Sequence, residues 1–242
     1  IIWGFTQDHL NGTGCMDLGD ILVMPSTGSR TRQWDQYRSH YVKTQEFATP
    51  GYYSVYLSDA KVKAELTATP HVAFHRYTYD STDSTSVLID LQHGPSWNDK
   101  QYHSQVNLCE THWEDANTLV GHVQNTVWVK QDYFFVIKFN RPVASHVTLA
   151  KAADTEKGDR IVATFDGIDQ GEQLLMKIAM STTSIDGAKK NLQAELPGWD
   201  FAAVKTATHD DWNAYLKRID IDGTEEQKQN YYTSFYHALI QP

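Results

Sequence analysis

Two carboxyl groups flanking a bond are enough to hydrolyse a glycoside: one protonates the leaving oxygen, and the other serves as base or nucleophile. Two sets of residues offer that chemistry. Asp17 and Asp20 lie in the opening stretch HLNGTGCMDLGDILVMP, and Glu110, Glu114 and Asp115 lie in CETHWED. Neither spacing is specific, because Asp and Glu in loops are ordinarily solvated or cap a helix. The eleven histidines are scattered. His71 and His75, four residues apart, have a zinc-ligand spacing only on a helix. They fall in a strand pattern, which leaves them on one face but far apart along it. Asp90 and His93 border Gly94-Pro95 and are expected to shape that turn. No GxSxG, HExxH, phosphate-loop or dinucleotide fingerprint occurs.

The opening stretch is over-punctuated for a turn into a strand. Asn11, Gly12, Gly14, Cys15 and two aspartates precede the apolar run Ile21-Leu22-Val23-Met24, which predicts a shaped loop with something to touch. Tryptophan supplies a second chemistry, since the apolar face of a sugar ring can rest on an indole. Trp34, Trp97 and Trp113 lie near loop signals, with Trp97 in GPSWND the best placed, while Trp128 reads as core. The plain reading of each is packing. The two cysteines, Cys15 and Cys109, form no zinc spacing and read as reduced thiols, though the sequence leaves a disulfide between them open.

The elements that must hold these residues are mostly strands. Tyr53, Val55 and Leu57 alternate with polar neighbours, as do Val62, Ala64 and Leu66, then Val72 and Phe74. That period of two predicts strands with one buried face. The denser runs Val87–Leu91 and Tyr133–Ile137 predict strands buried on both faces. Turn signals at Pro50-Gly51, Asp80–Ser86, Asn140–Pro142, Asp154–Asp159 and Asp166-Gly167 separate them, so the fold class is mainly β, an antiparallel β-sandwich over residues 1–180. After Ser181 the period changes. A helix is expected from Phe201 with Asp200 as N-cap and Lys217-Arg218 at its end, and a second after the Thr224/Gln227 capping box. Residues 181–242 therefore read as a helical linker of about two helices. The second carries Tyr231, Tyr232, Phe235, Tyr236, Leu239 and Ile240, an apolar stripe expected to dock on the sheet or on further protein.

Composition narrows the partners. A chain of 242 residues, 40% hydrophobic and 12% aromatic, folds around a full core. Its net charge of -9 repels a phosphate backbone, which argues against nucleic acid. No apolar run reaches the roughly 20 residues that span a bilayer, and no signal peptide is seen. The abrupt apolar opening Ile1-Ile2-Trp3-Gly4 and the apolar final helix suggest a parent chain longer at both ends.

The stretch HLNGTGCMDLGDILVMP strongly resembles the opening motif of the glycoside hydrolase family 92 α-mannosidases. Further blocks fit in the same order: ATPGYYSVYLSDAKVKAELTATPHVAFHRYTY, VLIDLQH, TLVGHVQNTVWVKQDYFFVIKFNRP, SIDGAKKNLQAELPGWDF and WNAYLKRIDIDGTEEQKQNYYTSFYHALIQP. The resemblance spans essentially the whole chain. It implies the N-terminal β-sandwich and linker of a calcium-dependent, inverting exo-α-mannosidase that removes terminal α-mannosides from glycans, N-glycans among them. The implied catalytic domain, an (α/α)6 barrel beginning near the last helix, would hold the general acid, the base and the calcium. No catalytic residue and no metal ligand is therefore carried over to this chain. What carries over is the opening loop as a wall of the sugar pocket, with His9, Gly12, Gly14, Cys15 and Asp17 as candidate substrate-binding residues. The implied partners are mannose-containing glycans and the chain's own barrel, with neither nucleic acid nor membrane, and the implied setting is bacterial and exported. Two other readings stay open: a free-standing carbohydrate-binding or interaction module, and catalysis within this chain through Glu110, Glu114 or Asp115.

Overall fold

The computed structural model describes residues 1–8, 18–29, 33–81, 83–94, 106–126 and 129–240. Among the described residues twelve strands form two sheets. The smaller runs β1 (Leu22–Thr27), β6 (Thr85–Asp90), β11 (Arg160–Phe165) and β10 (Ser145–Thr148) in that spatial order. The larger runs β2 (Tyr41–Thr49), β3 (Tyr52–Leu57), β4 (Val62–Ala68), β5 (Val72–Tyr79), β12 (Gln173–Ser181), β9 (Lys130–Phe139), β8 (Thr118–Thr126) and β7 (Val106–Asp115). Every neighbouring pair is antiparallel. The sheets share one core, to which Met24, Leu88 and Val162 come from the smaller and Leu57, Tyr77, Ile137 and Met176 from the larger. Phe139 of β9 meets Phe165 of β11 edge to face, with centroids 4.9 Å apart, across the sandwich.

Three helices follow, not two: α1 (Ile185–Glu195), α2 (Phe201–Leu216) and α3 (Glu225–Ile240). The unexpected helix is α1, started by Ser184, whose side chain accepts from Gly187 N at 2.9 Å. Its narrow stripe of Ile185, Ala188 and Leu192, with Leu196 just beyond, packs on the outer face of the larger sheet. Phe201 at the start of α2 joins the same cluster with Val72, Phe74, Val120 and Val136. This corrects the expectation of one buried face for β3 to β5. On β5, Val72 and Phe74 face the helices while Tyr77 and Tyr79 face the sandwich core. Even the charged outer face is covered: Glu65 is buried, accepting from Nε and Nη2 of Arg76 at 2.9 and 2.8 Å and from the Tyr52 hydroxyl at 2.7 Å. The guanidinium of Arg76 lies 4.4 Å from the ring centroid of Phe201.

The predicted caps of the other helices are present. Asp200 accepts from Ala203 N at 2.9 Å, and Thr224 and Gln227 bond reciprocally at 3.2 and 2.9 Å. α2 ends at Leu216, with Lys217 as its C-cap. α3 rests on α2 through Trp212 and Tyr236, with centroids 4.8 Å apart, and buries none of its own residues fully.

Candidate functional site

The opening segment runs antiparallel to the start of β1. Phe5 and Val23 exchange backbone hydrogen bonds of 2.9 and 3.0 Å, and Gln7 N donates to Asp20 O at 3.1 Å. Between these paired arms lies the stretch 9–17. Its base is latched by Asp8, whose Oδ1 accepts from Gly19 N at 3.0 Å and from Asp20 N at 2.6 Å. Asp20 is in turn held from across the sandwich by the side chain of Asn125. The returning arm is bent hard: Leu18, Gly19 and Ile21 have φ of 63°, 96° and 53°. Positive φ is costly for a leucine and more so for a β-branched isoleucine, so the latch holds a strained base, a feature that gathers at functional sites.

Two grooves flank this base. One, of about 1050 Å³, lies between the sheet and the helices and is lined by Gln7, Tyr52, Tyr53, Thr208, Trp212 and Tyr236 among others. The second, of about 850 Å³, is more polar, with Asp8, Leu18, His71, Lys130, Asp132 and Asn191 on its walls. Gln7, Thr69 and Pro70 border both. At that shared border the last residue of α1, Glu195, clasps the turn between β4 and β5. Burial would raise its pKa, but the Thr69 hydroxyl at 2.6 Å, His71 N at 2.9 Å and His71 Nδ1 at 2.6 Å outweigh burial and lower it. Asp132 is likewise held down, by Gln124 Nε2 and His122 Nε2, each at 2.7 Å. Both carboxylates are thus fixed as anions and suit hydrogen-bond acceptance, not proton donation.

The five proposed sugar contacts, His9, Gly12, Gly14, Cys15 and Asp17, lie outside the described residues, as do Trp97 and Trp128. The other candidates are placed. Asp20 is buried at 1% exposure, with Asn125 as partner, so it supports the loop base and has no open face toward a substrate. Glu110, Glu114 and Asp115 lie on β7 and line neither groove. Glu114 pairs with Lys189 at 2.5 Å, and Asp115 caps its own turn through Asn117 N at 2.7 Å. That is structural work for an edge strand and gives no pair of carboxyls across a cleft. His71 is exposed and bonded to Glu195, whereas His75 is buried in the sheet. Asp90 shapes the predicted turn by accepting from Gln92 N and His93 N, at 2.9 and 3.1 Å. Trp34 packs against Trp3 and under Arg160, and Trp113 stacks on His146 at 5.1 Å. Cys109 is a free thiol. Among the described residues no three His, Cys, Asp or Glu side chains stand together to hold a metal ion. Sequence reasoning passed over Gln7, Asp8, Asn125 and Glu195. Only Asp8, an aspartate ahead of a Gly-rich loop, carried a local signal of its turn role.

The paired arms, their strained base and the grooves beside it stand where the sandwich meets the helices that follow it. The chain belongs to glycosyl hydrolase family 92: residues 1–181 match the family's N-terminal domain and residues 187–242 match its catalytic domain. Among solved structures it is similar to the family GH92 α-mannosidase BT3965 from Bacteroides thetaiotaomicron, at 27% identity and a TM-score of 0.85 over 98% of this chain and 34% of that one. The same enzyme is also known in complex with mannoimidazole. The GH92 family glycosyl hydrolase ccman5 is 26% identical, with a TM-score of 0.80 over 97% of this chain and 34% of that chain. The inverting mannosidase BT2199, also from B. thetaiotaomicron, shares the fold at 23% identity and a TM-score of 0.80, over 97% of this chain and 31% of that one. The chain thus spans about a third of the length of the structures it matches. No curated protein matches it.

Proposed function

We propose that this chain forms the N-terminal part of a calcium-dependent, inverting exo-α-mannosidase and supplies one wall of its sugar pocket. The observation that carries the reading is the composition of the larger groove. Gln7, at the loop base within the segment matching the N-terminal domain, faces Thr208, Trp212 and Tyr236 from the segment matching the catalytic domain. In this reading the loop of residues 9–17 reaches into a pocket completed by the catalytic domain. Gly12 and Gly14 let backbone approach the sugar, Cys15 lines the wall, and His9 or Asp17 bonds its hydroxyls. Aromatic walls and ionised acceptors in the neighbouring grooves suit a mannose-containing glycan. An inverting hydrolysis needs an acid and a base carboxyl about 6.5–9.5 Å apart. The described carboxylates line no such gap, so both roles and the calcium site fall to the catalytic domain. When bound, calcium would help hold and distort the mannose ring. The described residues do not fit a calcium site, since no three His, Cys, Asp or Glu side chains among them stand together.

Bacterial export fits the origin of the Bacteroides relatives, and no helix among the described residues is long and apolar enough to cross a membrane. The test compares the 242-residue chain with a protein in which it is followed by a family 92 catalytic domain, on an aryl α-mannoside with calcium or with a chelator. Turnover confined to the longer protein, abolished by chelation and weakened by Asp17→Ala or His9→Ala at unchanged thermal stability, is the expected result. Turnover by the 242-residue chain alone would overturn the division of labour.

A further inference from the structure

The geometry points to Gln7 and His75 as positioning residues for the two arms, residues 5–8 and 18–21, that flank residues 9–17, an inference that rests on the pocket-wall reading above for its consequence in catalysis. Gln7 is fixed at four points. Its backbone N–H donates to Asp20 O at 3.1 Å, and its side-chain Nε2 donates to Phe5 O at 2.8 Å and Ile21 O at 3.3 Å. With the amide nitrogen committed to two carbonyls, Oε1 is left to face His75 Nε2 at 3.2 Å. An amide oxygen only accepts, so the proton of His75 must sit on Nε2. Its Nδ1 is then the acceptor for the Tyr77 hydroxyl at 2.7 Å. The ring is walled edge to face by Phe5 and Tyr77, with centroids 6.2 and 5.8 Å away.

His75 is 3% exposed, in the middle of β5. An unpaired imidazole in such a place would be a poor choice for packing alone, since a buried polar group is costly unless bonded. Here both nitrogens are used, and the use is directional. The imidazole ties β5, an interior strand of the larger sheet, to the side chain that joins both arms of the opening segment, one residue before Asp8 closes the latch. The chain from β5 through His75 and Gln7 to Asp8 therefore sets where the arms stand relative to both grooves, which Gln7 itself borders.

The amide variants separate positioning from filling. In His75→Gln the new amide nitrogen reaches the place of imidazole Nε2 and still donates to Gln7. In His75→Asn it falls near Nδ1 and does not. Hydrogen exchange at the Gly19 and Asp20 amides, both bonded to Asp8 Oδ1, reads the arms without any assay of activity. His75→Asn is expected to speed that exchange about tenfold, the equivalent of one buried hydrogen bond, and His75→Gln to recover to within about twofold of the parent. In the protein that includes the catalytic domain, the Asn variant should raise KM for an aryl α-mannoside about tenfold, with kcat changed less than about twofold, and the Gln variant should again recover. Gln7→Met removes the acceptor outside the deep core and should reproduce the Asn variant if that one does not fold. Equal losses of stability in the Gln and Asn variants, with exchange at Gly19 and Asp20 and KM both unmoved, would overturn the inference. Exchange that moves while KM does not would uphold the positioning and overturn the pocket wall.

Discussion

Replacing Lys177 by methionine should remove a pH dependence from folding. Lys177 lies on β12 at 2% exposure, beneath the junction of α1 and α2. Its Nζ donates to Leu196 O at 2.8 Å and stands 3.9 Å from the ring centroid of Trp199 and 5.7 Å from that of Phe74. Burial, helped by repulsion from Lys138, brings its pKa from 10.5 down to about 8. At about 1.4 kcal/mol per pH unit, that fall is a cost of roughly 3 kcal/mol for carrying the charge in the folded chain. Below pH 8 both states hold the proton and the whole cost stands. Between about 8 and 10.5 the unfolded chain holds the proton and the folded chain does not, so stability rises with pH. From pH 7 to pH 9.5 the wild type should therefore gain about 2 kcal/mol relative to Lys177→Met, a comparison in which every other titrating group cancels. Urea unfolding of both proteins at the two pH values, followed by tryptophan fluorescence, measures it. The opposing force is visible in the structure, because a desolvated cation over an indole is worth about 2 kcal/mol or more. A difference between the proteins that stays flat with pH would show that Trp199 and the Leu196 carbonyl fully offset burial, and the reasoning would be wrong.

Three further outcomes test how side chains pack. Arg160→Met should cost about 3–5 kcal/mol in urea unfolding, because it strips the partner from the buried Asp90, at 3.1 Å, and from Glu156, at 2.7 Å; a loss under about 1 kcal/mol would show that those carboxylates find other partners. Gly51→Ala should destabilise by at least about 1–2 kcal/mol from its left-handed backbone alone. With φ at 80° its added Cβ would also sit 2.6 Å from Thr208 Cγ2, so part of the loss should be relieved by Thr208→Ser, and a neutral Gly51→Ala would refute the packing of α2 on this turn. Burial pushes the Cys109 thiol up to about 11, so at pH 7.5 it should react with a thiol reagent more than about tenfold slower than a small free thiol, the loss of thiolate being only partly offset by its higher nucleophilicity. A rate near that of the free thiol would contradict the position of β7.

What could be read from the sequence was what depends on near neighbours. Asp200 caps a residue three positions on, Thr224 and Gln227 cap each other, and the turn at Asp90 closes on Gln92 and His93, so each was visible in a few letters. The alternation of β3 to β5 correctly announced strands, but it could not say what lay over their second face. Glu65 reads as solvent-facing beside Lys63, yet it is buried because α2 brings Phe201 over its partner Arg76 from far along the chain. The helix α1 escaped notice for a related reason. Gly187 weakens its first turn, and its stripe of Ile185, Ala188 and Leu192 is too thin to stand out until the sheet beneath it is present. The site divides in the same way. Its loop was conspicuous for its own composition, whereas its supports were not, since Asn125 meets Asp20 across 105 positions and His75 meets Gln7 across 68. Asp20 shows the consequence: an aspartate in a Gly-rich loop has the local look of a catalytic acid. Only its distant partner, Asn125, and its place at the strained base under Leu18 and Ile21 reveal that it holds the loop in place instead of acting from it.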